Sequence, residues 1–205
     1  MALLNVNPTR MQLKNLKSRL VIASKGHKLL KDKLDELVRQ YTIYVKDFAF
    51  MQNKVQKKFL LVLEDFNYAK GYMSDKETLQ EFVLQTDQLE CEYSTESIMN
   101  LPVPKVKIKD NSHVGLPYAY ASTNIMFDVV SKDMNEVMQD LIKLSELGKT
   151  CDILSCEIEK TKRRVNALEQ IVIPNLTQTI NYVSMKIDEN DRSFIIRLTK
   201  SKTFK

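Results

Sequence analysis

Gly148-Lys149-Thr150 has the residue types that close a phosphate-binding loop. Such a loop uses glycine for close backbone approach, lysine for the β/γ-phosphates and a hydroxyl for Mg²⁺. It also needs a glycine five residues earlier, where this chain has Lys143, and a preceding strand, where this chain has a helical repeat. Nucleotide binding is therefore not expected there. His27 occupies an apolar seam position and lacks a nearby nucleophile or second histidine, so it reads as a packed or hydrogen-bonded group that fixes helix register. The close carboxylates Glu157 with Glu159 and Asp188 with Glu189 sit at helix spacings whose side chains point apart, so they read as solvent-facing charges. Cys91, Cys151 and Cys156 form no framework and read as reduced thiols, with Cys151 in a helix seam. A metal would need partners that His27 and His113 are too distant in sequence to supply. No catalytic residue, metal site or cofactor is expected. Arg163-Arg164 beside Val165 to Glu169 remains open between charges flanking a coiled-coil seam and a contact surface for a partner.

These residues lie on two long patterned segments. Asn7-Pro8 reads as a helix start, with an N-cap side chain followed by proline at the first helical position. From there Leu13, Leu16, Leu20, Ala23, His27, Leu30, Leu34, Leu37, Tyr41, Tyr44, Phe48, Met51 and Val55 step by three and four residues without a break. This is a 3.5-residue repeat, which implies a left-handed supercoil roughly 65 Å long. After a slip in phase, Phe59, Val62, Leu63 and Phe66 continue a helical face to about Ala69.

The second segment begins near Asn135 with Val137, Leu141 and Leu144. After a slip in phase, Leu147, Cys151, Leu154, Ile158, Thr161, Val165, Leu168 and Val172 carry it on, and Leu176, Ile180, Val183, Ile187 and Phe194 extend it. Pro174 removes a backbone hydrogen bond inside this run, so a bend is predicted there. Between the segments, Ser74 to Leu84 reads as a short helix and Leu89 to Tyr93 as a strand. Ser94 to Ser97 reads as a turn, and Ile98 to Leu101 as a return strand cut short by Pro102 and Pro104. Residues 103–124 read as loop. The predicted architecture is mainly α: a long antiparallel two-helix coiled coil with a small irregular middle holding a short helix and a β-hairpin. Its divisions are residues 1–69, 70–130, and 131–205 with a basic tail.

Composition excludes several classes. Four glycines in 205 residues argue against an all-β fold and glycine-rich nucleotide loops. No run of eighteen apolar residues occurs, so no membrane insertion is expected, and the first residues lack the apolar core of a signal peptide. The net charge of +5 is uneven: residues 1–33 carry +7 and residues 192–205 carry +5, which leaves the body acidic. Antiparallel pairing would bring both basic ends together.

The stretches NPTRMQLKNLKSRL, GHKLLKDKLDELVRQ, EIEKTKRRVNALEQIVIPNL and DENDRSFIIRLTKSK resemble the D subunits of the rotary V-type ATPases, in the bacterial and archaeal V/A-type branch, over the whole chain. The resemblance implies a non-catalytic central rotor shaft. Its coiled coil enters a hexamer of catalytic and non-catalytic subunits and passes torque through its foot to an adaptor on the membrane ion rotor. The small F subunit of the central stalk binds its side. The resemblance also implies a peripheral place on the cytoplasmic side of the membrane, in ATP-driven proton or sodium transport or in ATP synthesis. The expected seam is Leu13, Leu16, Leu20, His27, Leu30, Leu34, Leu37, Tyr41, Ile158, Val165, Leu168 and Val172. The expected ring or partner contacts are Lys14, Lys17, Arg19, Lys25, Lys28, Arg163 and Arg164.

The rival reading is a coiled coil that binds nucleic acid or an anionic membrane through its basic ends. Against it, the body is acidic and no aromatic side chain precedes Tyr41 to stack on bases, so no nucleic acid is expected.

Overall fold

Helix α1 runs unbroken from Arg10 to Lys70 in the computed structural model, which describes residues 6–72, 91–108 and 125–203. A hairpin of β1 (Cys91–Ile98) and β2 (Leu101–Ile108) follows. Helix α2 (Ile125–Ala167), a π-helical turn (Leu168–Val172) and helix α3 (Ile173–Thr203) complete the order. The predicted mainly helical fold with a small two-stranded middle is observed. The helix expected at Ser74 to Leu84 and the strand residues Leu89 and Glu90 lie outside the described residues.

The start of α1 differs from expectation. Thr9, not Asn7, caps it: the Gln12 N–H donates to Thr9 Oγ1 at 3.3 Å. Thr9 and Gln12 have the spacing of a capping box, of which only the Thr9 side-chain bond is made, since the Thr9 N–H donates to the Asn7 carbonyl at 2.9 Å. Every member of the thirteen-residue repeat from Leu13 to Val55 is buried or half-buried. Beyond it Phe59, Val62, Phe66 and Ala69 face inward, whereas Leu63 is exposed because it lies one helical step past Val62.

The chain divides into two compact units, Met1–Val38 with Glu157–Lys205, and Arg39–Cys156. In the first, Leu16, Leu176 and Val183 form a buried cluster flanked by Leu13, Leu20, Ala23, Ile180 and Ile187. Ion pairs Arg10–Asp191 (2.6 Å) and Lys33–Glu157 (3.7 Å) place ascending α1 residues against descending partners, so the pairing is antiparallel. In the second, Val62, Val130 and Val137 pack with Phe59, Phe66 and Leu141, and Ala69 packs with Phe127. The Phe66 and Phe127 rings meet edge to face with centroids 5.9 Å apart, a favoured aromatic geometry. Pairing is antiparallel here too, from Lys58–Asp140 to Phe66–Phe127. Helix α2 starts at Ile125, ten residues before the apolar repeat announced it, because Phe127 and Val130 supply its first inward turn.

The hairpin corrects two expectations. Ser94 to Ser97 are strand, and the turn is Met99-Asn100, both at positive φ (51° and 66°). That is the sign of a two-residue primed turn, whose twist matches the strands. The strand β2 continues through Pro102 and Pro104 instead of ending at them. Residues flanking such a turn form a hydrogen-bonded pair and the pairs alternate from there, so with Ser97 opposite Pro102 and Thr95 opposite Pro104 both prolines fall where no ladder N–H is needed. Val106, next in that outward set, donates its N–H to Glu146 Oε2 at 3.3 Å.

The π turn resolves a conflict of phase. An unbroken heptad from Val165 and Leu168 would send Asn175, Tyr182 and Lys186 into the seam. One extra residue in the turn instead brings Leu176, Ile180, Val183 and Ile187 inward. The Ile173 N–H reaches back to the Leu168 carbonyl, five residues away. The widened turn also sits just before Pro174, whose ring would press on the Gln170 carbonyl in a regular helix. Its consequence corrects one predicted seam residue: Val172 is rotated outward and is 37% exposed. Phe194 is likewise outside the seam, at 61% exposed, because the inward face of α3 lapses after Ile187.

Candidate functional site

The tripeptide that mimics a phosphate loop lies within α2, where its residues have helical duties. A Cβ at Gly148 would stand 3.2 Å from Phe48 Cε2, so glycine here admits the Phe48 ring against the α2 backbone. Thr150 is buried and donates its hydroxyl to the Glu146 carbonyl at 2.8 Å, a back-bond one turn away. Lys149 is exposed. Neither the glycine nor the hydroxyl is open to a phosphate.

His27 is half-buried, and its Nε2 is enclosed without a hydrogen-bond partner among the described residues. Glu169 Oε2, in the π turn, lies 3.6 Å from it, beyond hydrogen-bonding distance. Thr161, also on the seam, is buried with its hydroxyl unpartnered among the described residues, whereas buried Thr179 donates its hydroxyl to the Asn175 carbonyl at 2.7 Å. Among the described residues no three His, Cys, Asp or Glu side chains gather as a metal site would require. Cys91, Cys151 and Cys156 are free thiols. Burial first, and the charge of Asp152 second, push the Cys151 thiol up, which keeps it a weak nucleophile.

Of the expected seam residues, Leu16, Leu37 and Val165 are buried. Leu13, Leu20, His27, Leu30, Leu34, Tyr41, Ile158 and Leu168 are half-buried, and Val172 is turned away. The expected contact residues Lys14, Lys17, Arg19, Lys25, Lys28, Arg163 and Arg164 are all exposed. Arg163 is tied to Glu159 one turn back on its own helix. A helix-surface pair of this kind contributes only a few tenths of a kcal/mol, about 0.3–0.5 kcal/mol.

One surface escaped the sequence reading. Near the end of α3, Phe194, Ile195, Ile196 and Leu198 are each about half exposed or more. Arg192, Arg197, Lys200 and Lys202 stand among them, also exposed. Consecutive apolar residues at 194–196 cannot all face one seam, and that crowding was the available signal. Clustered exposed apolar side chains rimmed by charge are the character of an interaction surface.

Among the described residues no helix is long and apolar enough to cross a membrane. A sequence-family model for the D subunit of ATP synthases matches residues 12–203. The chain is 42% identical to the V-type ATP synthase D subunit of Acetivibrio thermocellus, an alignment covering 98% of this chain and 92% of that protein. It is 40% identical to that of a Thermoanaerobacter species (98% and 97% covered) and 39% identical to that of Streptococcus gordonii (98% and 100% covered).

Proposed function

The chain belongs to the ATP synthase D-subunit family, and we propose that it is the central shaft of a rotary V-type ATPase, carrying torque between a catalytic hexamer and a membrane ion rotor. The observation that carries this reading is the pairing of α1 with the C-terminal helices. One 61-residue helix contributes a continuous inward row, and in each unit that row meets an antiparallel partner. Torque transfer needs torsional stiffness, which interlocked helix seams supply.

Nucleotide chemistry belongs to other subunits in this reading, since the phosphate-loop mimic is committed to helix packing. The basic, apolar end of α3 and the exposed basic residues of α1 and α2 are the surfaces that meet the hexamer and a small stalk protein. A membrane-rotor adaptor receives the middle of the chain, and the complex lies peripherally on the cytoplasmic side.

Co-expression with the other subunits of such a complex tests the proposal. The chain is expected to co-purify with them, to restore coupled ATP turnover to a complex lacking it, and to hydrolyse no ATP alone. ATPase activity in the pure chain, or failure to join the complex, would refute it.

A further inference from the structure

The turn at Leu168–Val172 stands between two regular helices, and none of its five residues is buried. Ile171 is 59% exposed and Val172 37%, so side-chain packing holds the turn chiefly through half-buried Leu168. On its C-terminal side Pro174 has no N–H, so the ladder bond that would tighten the helix at the Gln170 carbonyl cannot form. On its inner side His27 Nε2 is enclosed and has no hydrogen-bond partner among the described residues, and Glu169 Oε2 lies 3.6 Å away. An enclosed polar atom without a partner is unfavourable, and closing that gap needs well under an ångström of movement. The turn is thus weakly held, and a second arrangement that satisfies His27 lies close to the one observed.

We propose that this turn is a torsional joint of the shaft: a two-state element that lets α3 rotate about its axis relative to α2, with His27 and Glu169 as its latch. In the observed state the latch is open. In the other state the turn winds until Glu169 accepts a hydrogen bond from His27 Nε2, and α3 turns with it. The inference rests on the shaft reading above, because only a rotating part has use for a joint here. The extra residue could have been absent, since a chain one residue shorter would carry Leu168 to Leu176 in phase without any π turn. Natural helices that keep such a turn often do so at functional positions.

Deleting Gln170 removes the extra residue and leaves Leu176, Ile180 and Val183 on the inward face. In the isolated full-length chain, the amide protons of Ile173 and Asn175 are expected to exchange faster than those of Thr161 and Val183. The deletion slows them by about tenfold or more, as loss of a local opening does. Glu169→Gln and His27→Gln change exchange at the turn and leave Val183 alone. In the assembled ATPase the deletion supports assembly but lowers coupled turnover severalfold. Exchange at the turn no faster than in its neighbours, or a deletion that leaves coupled turnover unchanged, overturns the joint. Should the deletion not fold, Pro174→Ala restores the missing N–H and is read by the same two measurements. If the wild-type chain joins no ATPase, the shaft reading fails, whatever the exchange experiment returns.

Discussion

Lys58 Nζ donates a 3.1 Å hydrogen bond to Asp140 Oδ2 across the α1–α2 pair, and Lys54 approaches the same oxygen at 3.8 Å. Asp140 is a charged residue buried between the helices, and Glu136 adds a second negative charge 3.7 Å from Lys58. The hydrogen bond to Asp140 is the main cause that lifts the Lys58 ammonium above its ordinary value of 10.5. Desolvation opposes it, and the charges of Asp140 and Glu136 reinforce it. A cation with a raised value in the folded state stabilises the fold fully below its unfolded value. That contribution is lost as pH rises through the folded value. The melting temperature of the wild-type chain should therefore fall above about pH 10.5 more steeply than that of Lys58→Met. Parallel alkaline limbs would show that the pair contributes nothing. Its partial exposure predicts a small difference at neutral pH.

Leu37 has no exposed surface, whereas Leu29, on the outer side of the same helix, is 70% exposed. Leu37→Ala should cost about 2–5 kcal/mol, the sum of lost transfer energy and a residual cavity. Leu29→Ala should fall within about 0.5 kcal/mol of wild type. Urea denaturation of the two variants decides the matter. Similar losses would mean that the three-four repeat does not define the core face.

What the chain discloses without its structure follows from how each element is specified. The α1 seam was legible because thirteen positions obey one period, and a helix expresses that period directly. Val172 was misplaced because counting by heptads assumes a constant pitch, and the π turn changes the pitch for one residue. Pro174 reads as a bend because its lost N–H disrupts the helix, but that signal does not foretell the widened turn that precedes it. The hairpin turn was hidden because Met99-Asn100 lacks the glycine that usually marks positive φ. Pro102 and Pro104 looked like strand breakers because their pairing parity depends on where the turn falls. The apolar end of α3 fits no seam among the described residues, so periodicity along one chain assigns it no role.

Gly148 and Phe48 offer a double-mutant cycle. Alanine in place of glycine inside a helix gains about 1 kcal/mol from backbone entropy. Here the added methyl would meet Phe48 Cε2 at 3.2 Å, so the ring must give way. Gly148→Ala in the wild-type background should therefore gain clearly less than that. In a Phe48→Leu background the same change should recover most of the gain, because the crowding atom has gone. Thermal denaturation of the four chains measures the coupling. A gain that is the same in both backgrounds would show that the close approach carries no strain.

Met99 adopts a φ of 51° and Asn100 one of 66°, conformations that asparagine and glycine accept far better than methionine. Met99→Asn combined with Asn100→Gly should stabilise the hairpin by about 1 kcal/mol. Amide exchange at Val103, which is buried on β2, reports it without interference from the helices. No slowing there would mean that the turn does not limit local opening.

The end of α3 tests the proposed function most directly. Phe194, Ile195, Ile196 and Leu198 are well exposed in the chain alone, and little of its own core depends on them. Replacing all four by serine should change the melting temperature of the isolated chain by only a few degrees, as substitutions outside a core do. If partner subunits cover this surface, the same replacement removes apolar area from an interface, at about 25 cal/mol per Å² buried. Four side chains make that a loss large enough to break assembly. Pull-down of the ATPase subunits with the tagged variant is the measurement. A variant that melts like wild type yet no longer retains them supports a partner at this end. One that retains them in full, with coupled turnover intact, places the functional contacts elsewhere on the helices, and charge reversals at Lys14, Lys17 and Arg164 become the next surface to probe.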